Sequence, residues 1–138
     1  MAARKVFFDA NILLYSDDSR VAKKQEIATA LIELHWSQKT GVVSLQVLQE
    51  YFRNAAGKMG LGAELARQRT IFFSKFILFQ PSLDDVYGAI DLYRLHGLPY
   101  WDAAILRAAI QSGASTLYTE DFQHGRRFDG VEIVNPFL

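Results

Sequence analysis

The sequence predicts an α/β fold of three layers, in which helices cover both faces of a parallel sheet. Short apolar runs of strand length alternate along the chain with longer segments whose apolar residues recur at helical spacing. The first run, Val6–Phe8, is continuously apolar, which is typical of a parallel strand buried on both faces. Strands that alternate with helices pair in parallel through right-handed crossovers.

The first half of the chain is predicted to hold three strands and three helices. Polar runs and glycines mark where these elements end, and Ser44 stands where an N-cap is expected. In chain order the predicted elements are a strand at 6–8, a helix at about 21–36, a strand at 42–43, a helix after Ser44 that carries Glu50, a loop at 54–62, a helix at about 63–74 and a strand at 76–79.

The second half is predicted to add two helices and two strands. Ser82 or Asp84 can cap a helix that ends at His96 and Gly97 and whose apolar residues form a 3.6-residue stripe. The stripe consists of Leu83, Val86, Tyr87, Ile90 and Tyr93. The remaining predicted elements are a helix at 101–112, a strand at 116–118, a polar and basic loop at 123–129 and a closing strand at 131–134.

Length and composition predict one cytoplasmic domain spanning residues 1–138. Half of the residues are hydrophobic, which is ample for one sizeable core. Lysine plus arginine and aspartate plus glutamate number 15 each, so no net positive charge assists nucleic-acid binding. The absence of cysteine excludes thiol catalysis and thiolate metal sites. No apolar segment approaches the roughly 18 residues of a membrane span.

Four acidic residues are predicted to meet at one edge of the sheet. Asp9 and Asp121 each come just after an apolar strand, whereas Glu50 and Asp102 come early in helices that start at the same edge. In such sheets ligands bind beyond the carboxyl ends of the strands. Clustered carboxylates repel one another, so a cation or a shared proton is needed to offset the cost. Oxygen ligands favour Mg²⁺ or Mn²⁺, and such ions serve phosphoryl transfer to water.

Each acid also has an ordinary structural explanation when taken alone. Asp9 can cap the turn that starts at Asn11, and Glu50 can be a solvated helix residue. Asp102 can stabilise the first turn of its helix through the helix dipole, and Asp121 can be a loop acid. The joint occurrence of all four favours the functional interpretation.

Four segments, taken in order, resemble the acidic motifs of PIN-domain ribonucleases. They are FFDANILLY at the start, LQVLQEYF in the second crossover, PYWDAAILRAA before the fourth strand and LYTEDFQHG after it. The likeness spans essentially the whole chain and is closest to bacterial single-domain members, including VapC-type toxins. It implies strand order 3-2-1-4-5 and Mg²⁺-dependent cleavage of RNA, with Mn²⁺ as a possible substitute. It also implies a homodimer and a protein antitoxin as partners.

The resemblance assigns roles to particular residues. Asp9, Glu50, Asp102 and Asp121 are expected to form the catalytic metal site. The supporting residues are then Asn11, after the first acid, Thr119, the small hydroxyl before the last acid, and Glu120, a further or second-metal group.

Basic residues near the last motif are candidates for substrate binding. His124, Arg126 and Arg127 follow Asp121 in one loop, where they can meet phosphate. Arg107 lies among apolar residues, where it either pairs with an acid of the site or reaches solvent.

Three other functions fit parts of the pattern. A phosphoaspartate receiver domain needs a lysine after its fifth strand, where this chain has Asn135 and Pro136. A HAD-type phosphatase places a second aspartate two residues after the first, where this chain has Asn11. A PIN-like module that only binds RNA or protein has no need to keep all four acids.

Overall fold

Six strands form one central sheet, in which five strands are parallel. A computed structural model describes residues 3–138. The strands are β1 (Lys5–Phe8), β2 (Gly41–Ser44), β3 (Ile77–Phe79), β4 (Ala114–Tyr118), β5 (Arg127–Phe128) and β6 (Val131–Val134). Their order is β3-β2-β1-β4-β6-β5, with β5 alone antiparallel to its neighbour. The predicted five-strand order is confirmed, because the predicted fifth strand is β6 and β5 is an addition at the edge.

Six helices connect and cover these strands. They are α1 (Ala10–Ser16), α2 (Ala22–Gln38), α3 (Leu45–Ala56), α4 (Ala63–Phe73), α5 (Leu83–His96) and α6 (Tyr100–Gln111). Ser44 caps α3 as predicted, since its Oγ accepts a hydrogen bond of 3.3 Å from the Val47 N–H. Ser82 rather than Asp84 caps α5, and the Asp85 side chain completes the capping box. No helix among residues 3–138 is long and apolar enough to cross a membrane.

Two elements were not predicted from the sequence, the first helix and the edge strand. α1 begins directly after Asp9, so only one residue separates it from β1. The segment 123–129 was predicted as a loop, but its end forms a hairpin with β6. Asp129 and Gly130 form the turn of that hairpin, with φ of 45° and 86°. Positive φ at both central residues is typical of the type I′ turn, which asparagine or aspartate followed by glycine favours.

The apolar stripe of α5 faces solvent instead of the core. Leu83 is 64% exposed and Tyr87 is 54% exposed, whereas Ala89 and Leu92 are buried. The core-facing side carries small residues, and a Cβ on Gly88 would lie 2.5 Å from the guanidinium of Arg107. The face of α5 that carries small residues therefore packs against the Arg107 side chain of α6. The large apolar side chains of α5 lie on the opposite face, in solvent.

Candidate metal and active site

The topology places all four predicted acids at the carboxyl edge of the sheet. Asp9 follows β1 and Asp121 lies three residues beyond β4, and these two strands are adjacent and parallel. Glu50 lies on α3, which starts directly after β2 at that edge. Asp102 lies in the first turn of α6, whose far end leads back to the start of β4. α6 therefore begins at the same edge.

Asp9 is the most buried of the four acids and has two hydrogen-bond donors. Its side chain is the N-cap of α1, and its Oδ1 accepts a 2.7 Å bond from the Ala10 N–H. Its Oδ2 accepts a 2.8 Å bond from the Thr119 hydroxyl. Burial nevertheless raises the pKa of Asp9 from 3.8 to about 7, and the charges of Asp121 and Glu50 add to this increase. Asp9 is thus both a helix cap and a member of the acid cluster.

Thr119 and Asn11 connect Asp9 to Asp121. The Thr119 hydroxyl, which donates to Asp9, also accepts a 3.1 Å bond from the Asp121 N–H. Asn11 Nδ2 donates to Asp121 Oδ2 over 3.1 Å and to Thr119 Oγ1 over 3.4 Å. The structure therefore brings the two residues that the sequence analysis marked as supporting into direct contact with the acids.

Glu50 and Asp102 approach the same centre from the helices. Burial raises the pKa of Glu50, and the charges of Asp102 and Asp121 raise it further. Burial also raises the pKa of Asp102, with a contribution from the charge of Asp121. The charge of Asp121 thus raises the pKa of each of the other three acids, which places the four carboxylates in one cluster. Within residues 3–138, no lysine, arginine or histidine forms an ion pair with any of them.

Gln46 is a site residue that the sequence analysis missed. Its Nε2 donates to Glu50 Oε1 over 2.9 Å and to the backbone oxygen of Trp101 over 3.1 Å. It thereby links the acid on α3 to the start of α6, next to Asp102. Gln46 lies four residues before Glu50, on the same face of α3. This spacing was the signal in the sequence that could have identified it as a partner of Glu50.

Glu120 belongs to a different group of contacts. Its Oε1 accepts a 2.6 Å bond from the Tyr15 hydroxyl, and its Oε2 accepts a 3.0 Å bond from Lys24. Glu120 therefore already has a cationic partner, which distinguishes it from the four clustered acids. Glu120 and Asp121 are adjacent in a bend of the chain after β4, and their carboxylates contact different partners.

The candidate substrate-binding residues are dispersed. Arg107 pairs with Asp85 at 3.0 Å, so its carboxylate partner is the capping acid of α5 and not one of the four clustered acids. The backbone N–H of Asn135 donates to His124 Nδ1 over 3.0 Å. Arg127 pairs with Glu132 on the neighbouring strand at 3.0 Å. The guanidinium of Arg126 lies 4.4 Å from the centre of the Phe128 ring.

The donor set fits a hard divalent cation that keeps part of its water shell. The Oδ1 atom of Asn11 is buried and has no hydrogen-bond partner among the described residues. Three of the four acids have a raised pKa, so a cation placed among them would relieve an existing cost. No three acidic or histidine side chains within residues 3–138 form a ready coordination sphere. Mg²⁺ is usually held by one or two carboxylates and several waters, so a complete protein sphere is not required.

A solved structure shares this architecture. The crystal structure of Mycobacterium tuberculosis VapC20, a toxin that cleaves the sarcin–ricin loop, superposes with a TM-score of 0.64. The match covers 85% of this chain and 90% of VapC20, at 17% sequence identity. The sequence matches no protein-family model and no curated protein. The shared architecture confirms the PIN-like fold implied by the four sequence motifs.

Proposed function

We propose that this protein is a metal-dependent endoribonuclease that hydrolyses RNA phosphodiester bonds. The observation that carries the proposal is a cluster of four acids, from two strand ends and two helices, with no cationic partner among residues 3–138. Such a cluster is costly unless it binds a cation. The PIN-like fold, shared with an RNA-cleaving toxin, supports RNA as the substrate.

Asp9 and Asp121 are the proposed direct ligands of Mg²⁺ or Mn²⁺, because Thr119 and Asn11 already hold them together. Glu50 and Asp102 would hold further ligand positions or metal-bound waters. When bound there, the ion stabilises charge on the phosphate and makes a bound water more nucleophilic. Thr119 and Asn11 fix the carboxylate orientations, and partners of this outer kind are important for metal affinity.

RNA cleavage with and without metal tests the proposal. We expect cleavage of total cellular RNA, or of a sarcin–ricin loop hairpin, in Mg²⁺ and none in EDTA. Asp9→Asn and Asp102→Asn should each lower the rate of RNA cleavage by more than the roughly 10- to 100-fold that removal of an outer-shell partner costs. Asp91→Asn, which removes an exposed charge on α5, is the matched control and should cleave like the wild type. Cleavage that persists in EDTA and in both site variants would refute a metal nuclease, and hydrolysis of only small phosphate esters would indicate a phosphatase.

We further propose that the protein is the cytoplasmic toxin of a toxin–antitoxin pair and that it forms a homodimer. The toxin named in the structural match supports the first part. The exposed stripe on α5 supports the second, because contiguous apolar surface marks interaction sites. Light scattering should give a dimer for the wild type and a monomer for Tyr87→Lys. Leu34→Lys, at an exposed position of α2, should remain dimeric.

A further inference from the structure

A cavity of about 240 Å³ opens beside the acid cluster, between α1 and the end of α3. Asn11 lines it and also donates to Asp121, so one wall is shared with the site. Asn54 lines it as well, and its side chain donates to the backbone oxygen of Glu50 over 2.8 Å. One water needs only roughly 10–15 Å³ of such space, so there is room for a planar group.

One part of the cavity wall is apolar and is fixed by hydrogen bonds. It consists of Leu14, Tyr15 and Met59, whereas the other lining residues are polar or charged. The Tyr15 ring is held in place, since its hydroxyl donates to Glu120 and the ammonium of Lys24 lies 4.5 Å from the ring centre. The Met59 N–H donates to the backbone oxygen of Asn54 over 2.9 Å, which fixes the loop after α3. A flat ring with a neighbouring thioether is a suitable surface for a nucleobase.

Acidic and basic residues both line the cavity, and its two acids, Asp18 and Glu120, are each paired with a cation. Lys58 lines it, is exposed and forms no ion pair with any carboxylate among residues 3–138. Arg20 also lines it and remains largely exposed while it pairs with Asp18 at 2.9 Å. The acid cluster repels phosphate in the absence of metal. A cation on this side of the site therefore attracts the phosphate backbone of RNA.

We propose that this cavity is a nucleotide subsite, which holds the base next to the scissile phosphate of single-stranded RNA against Tyr15 and Met59 while Lys58 contacts the flanking phosphate. The subsite rests on the proposed ribonuclease function and specifies how that site takes its substrate. Stacking against the apolar part of the wall and positive charge next to the RNA backbone provide the binding.

The salt dependence of KM tests the phosphate contact. The probe is a fluorescein-labelled RNA of mixed sequence, cleaved in Mg²⁺ at several KCl concentrations. Lys58→Gln should reduce the slope of log KM against log salt concentration by about 0.7, the value for one contact to a single strand. The kcat should stay unchanged. Lys75→Gln, an exposed lysine that precedes β3 at the opposite edge of the sheet, should keep the wild-type slope.

Abasic substitution tests the base contact. After the cleavage site is mapped, RNAs with one abasic nucleotide on either side are compared. At one of the two abasic positions the KM of the wild type should rise about tenfold, which is within the range for loss of a stacked base. Met59→Ala should show a raised KM and a smaller abasic effect than the wild type, because one of the two contacts to the base is gone. Met59→Leu, which keeps an apolar wall, should behave like the wild type, and thermal melts check that both variants fold.

The outcomes separate the two proposals. A wild type that cleaves no RNA in Mg²⁺ refutes the ribonuclease function and the subsite with it. A wild type that cleaves, with Lys58→Gln and Met59→Ala unchanged in salt slope and abasic effect, refutes the subsite alone. That result would leave the cavity to another occupant, such as a segment of a partner protein.

Discussion

Replacing Asp9 by asparagine is expected to remove a pH-dependent loss of stability from the metal-free protein. Asp9 is only 4% exposed, and its pKa of about 7 in the folded protein compares with 3.8 for an unperturbed carboxyl. The folded state therefore binds the proton more tightly than the unfolded state does. Such a group contributes its full stability below pH 3.8, and that contribution is lost as the pH rises towards 7.

The size of the effect follows from this difference in pKa. Between about pH 5 and pH 7 the unfolded state has released the proton and the folded state has kept it. The free energy of unfolding then falls by about 1.4 kcal/mol per pH unit, or about 3 kcal/mol over the interval. Glu50 and Asp102 add slopes of the same sign, since burial raises the pKa of each. Glu50 and Asp102 are present in Asp9→Asn as well. The difference between the two proteins in the pH dependence of the free energy of unfolding therefore reports mainly on Asp9.

Urea unfolding in EDTA at pH 5, 6, 7 and 8 measures this difference. We expect the curves of free energy against pH for the wild type and Asp9→Asn to diverge by about 3 kcal/mol, with the variant gaining relative to the wild type as the pH rises. Added Mg²⁺ at pH 8 should stabilise the wild type and leave the variant almost unaffected. Parallel curves would refute the argument that Asp9 is a buried carboxylate with no compensating cation.

Two other substitutions test the contribution of Asp85 and Asp17, acids outside the cluster, to stability. Asp85→Ala should lower the free energy of unfolding by about 2 kcal/mol, because it removes the capping box of α5 and the partner of Arg107. RNA cleavage per folded molecule should stay unchanged, and a large loss of kcat would contradict a purely structural role. Tyr51→Phe should cost about 2 kcal/mol in urea unfolding, since the buried hydroxyl donates to Asp17 over 2.6 Å. An unchanged unfolding midpoint would show that this hydrogen bond contributes nothing.

The shared edge of the four acids could be predicted from the alternation of strands and helices, because parallel strands end at one edge of a sheet. That β1 and β4 are neighbours, which brings Asp9 next to Asp121, was implied by the resemblance to PIN-domain ribonucleases. The hairpin at Asp129 and Gly130 was also present in the sequence, as an aspartate–glycine turn signal that the analysis overlooked.

Contacts between distant residues were not predictable in the same way. Glu120 meets Lys24 and Tyr15, which lie 96 and 105 positions away along the chain. The sequence showed Arg107 among apolar residues but did not show that Gly88 opens a space for its guanidinium on α5. For the same reason the stripe on α5 predicted a helix correctly but did not reveal which face the core would take.

The central claim is that the four acids bind a divalent cation at the carboxyl edge of the sheet. A crystal structure with Mn²⁺, with the ion located by its anomalous scattering, tests it most directly. We expect an ion about 2.1 Å from carboxylate oxygens of Asp9 and Asp121, with waters completing the coordination. Mn²⁺ bound elsewhere, or absent at millimolar concentration and pH 8, would contradict the account.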